Sequence, residues 1–310
     1  TKAHDILYSI HKDEPNINEF IPIVKHYEVC ENIFLELKAN INKTDDYGKF
    51  YNERVSMVFN AIERVGIQIQ KEEFRTHFYD ETNTKVYTQY NLKTLTTRPS
   101  NTYKGINYGA LNQKNGCRKS FVPTNDVFVE LDISAFHPTL CCNLVDYVFP
   151  DMVDIHTHLA EMYGVDYKKS KELTFKQLYG GVFDNYKDIE FFKRIDIYVK
   201  ELWKEFESEG FITCPISNYV FDKKNLENMN PQKLFNYLLQ NLETSTNVCI
   251  LWDILKILRG KNTKLILYVY DSFLLDVDES EVNVVDEVKT VFKKYKLNIK
   301  EKQGYDYDFK

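Results

Sequence analysis

Two aspartates, Asp132 and Asp271, each stand where the sequence predicts the end of a β-strand. The first closes the apolar run 127–132 (VFVELD), and the second lies between two apolar runs within residues 265–275. Two carboxylates brought together can hold a pair of Mg²⁺ ions about 3.5–4 Å apart, the arrangement that drives in-line phosphoryl transfer. An aspartate at a hairpin tip is usually a turn former, but the apolar flanks would hold Asp271 rigidly at the edge of a sheet, where a carboxylate is well placed to bind a metal opposite Asp132.

A helical segment between the two aspartates carries side chains suited to a nucleotide. Lys171, Phe175 and Tyr179 are each four residues apart, so a helix places them on one face. A cation and two rings on one stripe suit a triphosphate, a base and a sugar. The alternative is a helix that packs two aromatic rings into the core beside a snorkelling lysine. The order of the three segments resembles that of template-directed polymerases and favours a nucleotidyltransferase.

The composition is that of a globular protein with one large or two modest domains. The chain has 310 residues, of which 43% are hydrophobic and 28% charged. It contains neither an apolar run of about 18 residues nor a leader segment, so we expect no membrane partner and a cytoplasmic location, at the nucleoid or at a phage replication site in a host cell. The six cysteines form no C-x-x-C pair, which argues against structural zinc and disulfides.

The net charge of −6 argues against a whole-protein attraction to nucleic acid. Binding to a phosphate backbone needs lysine and arginine on one face rather than an excess over the whole chain. The basic residues that cluster locally are Arg98, Lys104, Lys114, Arg118, Lys119, Lys168, Lys169 and Lys171. We therefore expect weak, salt-sensitive binding to DNA.

Apolar periodicity and turn residues predict the elements that position these side chains. Helices are predicted over residues 18–38, 51–65, 154–163, 167–179, 232–259 and 282–295. The other predicted segments are a strand at 86–90, loops at 40–48 and 96–116, and a polar tail after residue 295.

From about residue 51 to the C-terminus, the chain resembles the family A DNA polymerases, the polymerase I type. The main motifs stand in the family's order: motif A at 130–137 (ELDISAFH), motif B at 171–180 (KELTFKQLYG) and motif C at 270–272 (YDS). The flanking matches are 87–91 (YTQYN), 96–98 (TTR), 118–121 (RKSF), 154–157 (DIHT), 162–165 (MYGV), and Asn236 with Gln240. Their order and spacing together make the resemblance specific.

The resemblance implies an α+β fold: a right-hand polymerase with an antiparallel palm sheet, helical fingers and a reduced or absent thumb. It divides the chain into an N-terminal helical region (1–85), a first palm part (86–150), fingers (151–225) and a second palm part (226–310). Only about a dozen residues separate the segment that resembles the junction of exonuclease and thumb from the palm entry, too few for a helical thumb. The first fifty residues are likewise too short for a proofreading exonuclease.

The resemblance also assigns roles to individual side chains. Asp132, Asp271 and the peptide carbonyl of Ile133 would bind two Mg²⁺ ions, for which Mn²⁺ can substitute. The residues that would bind the nucleotide are His137, His156, Lys168, Lys171, Phe175 and Tyr179. Those that would contact primer–template DNA are Arg98, Arg118, Lys119, Asn236, Gln240 and Tyr270. By residue type alone, His156 could equally be a core histidine, and Asn236 and Gln240 a polar pair between helices.

Three departures from the family pattern bear on the nucleotide. His137 stands where the family has the glutamate that blocks the ribose 2′-OH, so the sugar gate would depend on the bulk of the ring. Motif C ends in Ser272, similar to phage-type single-subunit RNA polymerases, where the family has glutamate. Tyr167 replaces an arginine before the motif B lysine, which leaves Lys168 or Lys169 to supply that charge.

The sequence therefore predicts a template-directed DNA polymerase that transfers nucleotides from dNTPs to a primer 3′-OH, without proofreading and with low intrinsic processivity. A replisome protein that supplies the thumb's grip or processivity would be one way to compensate. One alternative is a single-subunit RNA polymerase or primase, favoured by Ser272 and the altered sugar gate. Another is a non-catalytic, nucleic-acid-binding replisome subunit, which the two aspartates and the motif B lysine together argue against.

Overall fold

The computed structural model describes residues 45–78, 84–101, 105–150 and 154–309. The chain divides into two compact units, Thr1–Lys49 and Phe50–Lys310. The helix predicted over 18–38 lies outside the described residues, as does most of the loop predicted over 40–48. A short helix, Asp46–Phe50 (α1), begins where that loop is predicted to end.

The predicted helix 51–65 is present in the second unit. It starts with a π-helical turn, Tyr51–Val55, and continues as α2 (Ser56–Glu63). Its apolar face, which includes Phe59 and Ile62, is buried in the core. Gly66 has a φ of 73°, a left-handed conformation that ends helices and that glycine adopts without steric cost.

A three-stranded antiparallel sheet follows α2, in the order β2-β1-β3. Its strands are β1 (Ile67–Ile69), β2 (Lys85–Val86) and β3 (Phe121–Val122), and the helix α3 (Lys71–Phe78) lies between β1 and β2 in the chain. The predicted boundary at residue 85 therefore falls inside a sheet, and the region before it is not purely helical.

The strand predicted over 86–90 is shorter than expected, because only Val86 of that range pairs, with Ile67. Further along, the Tyr90 hydroxyl donates to the carbonyl of Tyr268 at 2.9 Å and accepts from its N–H at 2.8 Å. The backbone of residues 87–91 is thus connected to a second sheet by a side chain rather than by a strand ladder.

That second sheet has four antiparallel strands in the order β7-β8-β4-β9. The strands are β4 (Val127–Ile133), β7 (Lys264–Val269), β8 (Ser272–Val277) and β9 (Ile299–Gly304). Strands β4, β7 and β8 are near-continuous apolar runs, as expected for strands that are covered on both faces. The sheet carries both aspartates singled out by the sequence.

The polar tail predicted after residue 295 is wrong, because Ile299–Gly304 form the edge strand β9. This strand pairs with β4 from Ile133↔Ile299 to Phe128↔Gly304. Its sequence, IKEKQG, has no apolar alternation, and its inner residues are exposed. Lysines on an edge strand are a common protection against pairing with other chains.

Helices α4 (Phe136–Leu144), α5 (Ile155–Tyr163) and α6 (Tyr167–Gly180) follow β4. Asp154 caps α5 by accepting the N–H groups of residues 156 and 157, and Asp166 caps α6 by accepting that of residue 169. The two helices therefore begin and end close to the positions that the sequence predicts.

The long helix α8 (Pro231–Ile257) is buried along most of its length and packs against α4, α6 and α7 (Glu190–Glu209). The Asn230 side chain caps α8, and proline stands at its first position. The hairpin of β5 (Phe211–Thr213) and β6 (Val220–Asp222) separates α7 from α8.

The last described helix, α9 (Val284–Lys294), buries one face against α8. A single large cluster of apolar side chains joins the helices to the four-stranded sheet. In the part of the chain that the structure describes, no helix combines the length and the apolar character that a membrane crossing requires.

Candidate active site

The turn between β7 and β8 places Asp271 beside Asp132. In the β4–β8 ladder Asp132 lies opposite Ser272, and the Ile133 N–H donates to the carbonyl of Asp271 at 2.9 Å. The backbone of the hairpin tip is thereby fixed to the end of β4. The two predicted carboxylates are neighbours although 139 positions separate them in the sequence.

Tyr270, at the tip, has a left-handed backbone with a φ of 58°, which is unfavourable for a bulky residue. The side-chain amide of Asn247 donates to its carbonyl at 2.7 Å, and the guanidinium of Arg98 lies 3.9 Å from the centre of its ring. Gly109 leaves room for the ring, since a Cβ added there would come within 3.0 Å of it. These contacts stabilise the tip and fix the direction of Asp271.

Burial and mutual repulsion make the aspartate pair electrostatically unfavourable. Burial, and then the charge of Asp132, raise the pKa of Asp271 to about 6. Burial, and then Glu130, raise the pKa of Asp132 against the opposing effect of nearby lysines. Among the described residues, neither Asp132 nor Asp271 has an ion-pair partner. A bound divalent cation would relieve this repulsion, and carboxylate oxygens are the ligands that Mg²⁺ prefers.

No cluster of three or more histidine, cysteine or acidic side chains suited to a metal occurs within the described ranges. A cation held by Asp132 and Asp271 would therefore need further oxygen ligands from water, a peptide carbonyl or a substrate. This matches Mg²⁺ sites that use one or two carboxylates and substrate phosphates.

The aspartate pair lies in a cleft that contains most of the predicted site residues. Those that line it are Arg98, Asp132, Ile133, His137, His156, Lys171, Phe175, Tyr179 and Asp271. Two side chains that the sequence did not single out, Glu243 and Lys300, line it as well. The cleft thus combines two carboxylates from the sheet with a cation and two rings from α6.

His156 is buried, with 1% of its surface exposed, yet neither ring nitrogen has a hydrogen-bond partner in the described residues. Its ring lies 6.0 Å from that of Tyr167 and 5.9 Å from that of Phe175. Burial, with a further contribution from Lys171 and Lys300, lowers its pKa to about 4. At neutral pH the imidazole is uncharged and has one N–H available to a ligand in the cleft.

The predicted aromatic stripe on α6 is present. The rings of Phe175 and Tyr179 are stacked, with their centres 5.7 Å apart and their planes 13° from parallel. Tyr179 keeps 36% of its surface exposed and Phe175 is half-buried, so neither ring belongs to the core. The alternative in which α6 packs both rings into the core is therefore wrong.

His137 belongs to a partly buried network of polar side chains that joins four parts of the structure. Its Nδ1 shares a hydrogen bond with the Tyr179 hydroxyl of α6, and its Nε2 with the Glu243 carboxylate of α8. The second oxygen of Glu243 accepts from Arg98 Nε at 3.0 Å. Because Arg98 also covers the Tyr270 ring, these polar side chains connect the hairpin tip to the aromatic stripe on α6.

The remaining predicted DNA contacts lie outside the cleft or have partners within the protein. The Asn236 amide donates to the carbonyl of Tyr179 at 3.0 Å, and the Gln240 side chain accepts from the Thr96 hydroxyl at 3.0 Å. Asn236 thus connects α8 to α6 and Gln240 connects it to the turn at Thr96, whereas the side-chain oxygen of Asn236 is buried without a hydrogen-bond partner among the described residues.

Three predicted basic contacts do not reach the aspartate pair. The guanidinium of Arg118 lies 4.9 Å from the centre of the Tyr307 ring, and Lys119 is exposed on the same short helical turn. Lys168 is exposed at the start of α6 and does not line the cleft. Lys169 pairs with Glu172 at 3.0 Å. Tyr167 stands where the family has an arginine, and neither Lys168 nor Lys169 brings a positive charge into the cleft in its place.

Sequence reasoning missed Glu243 and Lys300 for different reasons. A carboxylate inside a largely apolar helical stretch, such as Glu243, signals a buried partner, because an unpaired buried charge is costly. Lys300 gave no such signal, since its strand has no apolar pattern and forms only by pairing with β4.

Comparison with solved structures places this arrangement in a known architecture. The chain superimposes with a TM-score of 0.63 on the polymerase domain of Pol1 from M. smegmatis, determined in complex with DNA primer–template and dNTP. The fold is that of a polymerase domain. The α+β prediction is confirmed.

The likeness is structural, because sequence identity over the matched part is only 13%. It covers 82% of this chain and 50% of the M. smegmatis chain, so the protein spans about half the length of that neighbour. No protein-family model and no curated protein sequence matches the chain.

Proposed function

We propose that the chain is a template-directed DNA polymerase that transfers nucleotides from dNTPs to a primer 3′-OH. The observation that carries this proposal is the cleft in which Asp132 and Asp271 face the stripe of Lys171, Phe175 and Tyr179. A carboxylate pair, a cation and two exposed, stacked rings are the groups that a two-metal nucleotidyl transfer needs. The shared fold with a DNA-bound polymerase domain supports the same reading.

Asp132, Asp271 and the peptide carbonyl of Ile133 would hold two Mg²⁺ ions, or Mn²⁺ in their place. Such ions activate the attacking hydroxyl and stabilise the leaving oxygen. The protein's own groups would do the positioning: Lys171 of α6 and His156 of α5 would bind the triphosphate. The raised pKa of Asp271 is consistent with this role, because a metal is the charge partner that the pair lacks.

The stacked rings of Phe175 and Tyr179 would frame the new base pair. His137 would gate the sugar, and its place is fixed on both sides, by Tyr179 and by Glu243. A histidine held in this way can exclude a 2′-OH by bulk although the usual glutamate is missing. The residues that we propose as contacts for primer–template DNA are Arg98, Arg118, Lys119, Asn236, Gln240 and Tyr270. Arg98, Asn236 and Gln240 would exchange their hydrogen bonds within the protein for hydrogen bonds to DNA.

The proposal includes neither proofreading nor high processivity. Between β1 and β2 the described chain contains only α3, of eight residues, where a thumb would stand. A partner that encloses the duplex would then be needed for long products.

A single-subunit RNA polymerase or primase is the second candidate. It is favoured by Ser272, whose hydroxyl donates to Glu130 at 3.0 Å and so does not face the cleft as a third carboxylate would. It is also favoured by the histidine at the sugar gate. A non-catalytic subunit is disfavoured, because a binding module gains nothing from a partly buried aspartate pair whose charges repel each other.

The test is primer extension on a labelled primer–template, with dNTPs and NTPs in parallel and with Mg²⁺ present or chelated. We expect metal-dependent extension with dNTPs, abolished by Asp132→Asn and by Asp271→Asn while primer–template binding is retained. Extension with NTPs at equal efficiency would favour the second candidate. Near-normal extension by either variant would disprove the metal assignment.

A further inference from the structure

Lys300 is a cation of the cleft that has no assigned role. It lies on the edge strand β9, opposite Asp132 of β4 in the antiparallel register. Residues opposite each other on neighbouring strands project to the same face, with Cβ atoms about 4.5–5.5 Å apart. The Lys300 side chain therefore stands on the face of Asp132, where it lines the cleft.

The neighbouring lysine on the same face shows what is unusual about Lys300. Lys302 is ion-paired with the buried carboxylate of Glu130, opposite it, at 2.7 Å. Lys300 has no such pair with Asp132 or with any other described acid, and Lys171, on the opposite wall, has none either. Two ammonium groups thus enter the cleft from β9 and from α6 without an ion-pair partner among the described residues.

His156 is a second, independent sign of a missing anion. It is buried beside these two lysines, and both of its ring nitrogens lack partners in the described residues. An unsatisfied buried donor costs free energy, so such a group is commonly completed by a ligand or by water. A neutral N–H between two cations matches a ligand that presents several anionic oxygens.

We propose that Lys300 binds the phosphate chain of the incoming nucleotide, together with Lys171 and His156. That the anion is a nucleoside triphosphate, rather than a DNA phosphate, rests on the proposed function. The position next to Asp132 supports it, because metal-bound oxygens of the same phosphate chain would lie there. Tyr167 stands where the family has an arginine, and neither Lys168 nor Lys169 lines the cleft. Lys300 would thereby supply the positive charge of that arginine.

The experiment compares Lys300→Ala, Lys300→Arg and the matched control Lys302→Ala. Lys300→Ala should raise the KM for dNTP about 10- to 100-fold, the effect of losing one charge-assisted hydrogen bond, with the Kd for primer–template unchanged. Lys300→Arg should retain most of the affinity for dNTP, and Lys302→Ala should leave the KM for dNTP unchanged. Because Lys300 and Lys302 are both exposed, thermal unfolding should show that all three variants fold.

A second readout needs no catalysis: the increase in Tm that inorganic tripolyphosphate and Mg²⁺ give to the unliganded protein. We expect this increase in the wild type and in Lys302→Ala, but not in Lys300→Ala. An equal increase in wild type and Lys300→Ala, or a DNA-binding defect with unchanged KM, would overturn the proposal. If the wild type extends no primer but the Tm effect still depends on Lys300, the polymerase proposal fails and the anion site stands.

Discussion

Replacing Asp271 by asparagine should make the metal-free protein more stable while it abolishes nucleotide transfer. The carboxyl has a pKa of about 6 in the fold, against an ordinary value of 3.8. A difference of about two pKa units corresponds to roughly 3 kcal/mol of unfolding free energy at neutral pH. Since the side chain is partly exposed, we expect a gain of about 1–3 kcal/mol from Asp271→Asn.

The sign of the pH dependence follows from the direction of the shift. A carboxyl whose pKa is higher in the folded state contributes most to stability below its unfolded pKa of 3.8, and that contribution is lost as the pH rises through about 6. The substituted protein does not titrate at this position. Its advantage over the wild type should therefore be full at pH 7.5 and smaller by at least half at about pH 4.5.

The assay is urea unfolding of both proteins at these two pH values, in the presence of a chelator and then with Mg²⁺. A metal that binds only the folded state should stabilise the wild type more than the variant. Asp276→Asn is the matched control. The Asp276 carboxylate is buried and accepts the N–H groups of Thr124 and Asn125 at 2.8 and 2.9 Å, so its replacement should destabilise the protein. Equal destabilisation by both substitutions, or a difference that does not vary with pH, would refute the electrostatic reasoning.

Three further outcomes are expected. Lys171→Ala should lower kcat/KM for dNTP by roughly 10–1000-fold with little change in DNA affinity, measured by steady-state kinetics; unchanged kinetics would contradict its phosphate role. Glu243→Gln should reduce the discrimination between dNTP and NTP by about tenfold, because it weakens a hydrogen bond that fixes the His137 ring. Tyr179→Phe removes the other hydrogen bond of that ring and should have the same effect, measured for both variants in competition assays with dNTP and NTP. In single-hit extension with a DNA trap, products should be short and fall off steeply between about 50 and 200 mM salt, whereas products of hundreds of nucleotides would show that the protein grips the duplex without a thumb.

The parts of the site that local pattern governs were predictable from the sequence. Apolar runs that end in aspartate gave the strands of Asp132 and Asp271, and caps with 3.6-residue periodicity gave the helix of Lys171 within a residue or two. These patterns can be recognised in the sequence because each depends on residues within one helical turn or one strand. The relative placement of the three segments came from the family resemblance, and the structure confirms it as a shared cleft.

What the sequence did not show depends on partners far away along the chain. Strand β9 exists only because β4 supplies its hydrogen bonds, so IKEKQG read as a tail. The link between His137 and Glu243 joins residues 106 positions apart, and no periodicity could indicate it. The internal partners of Asn236 and Gln240 are likewise tertiary, which is why residue type alone left two readings open.

The order of strands in the four-stranded sheet has a consequence for synthesis of the protein in a cell. Strand β4 lies between β8 and β9, and both of these partners come later in the chain. About 140 residues separate the end of β4 from the start of β8, so at 5–20 residues per second the run VFVELDI has no partner on either edge for roughly 7–28 s. An apolar strand with two open edges is an aggregation hazard. Ribosome-associated chaperones should therefore bind the nascent chain at residues 127–133, and slower translation should lower the yield of soluble protein.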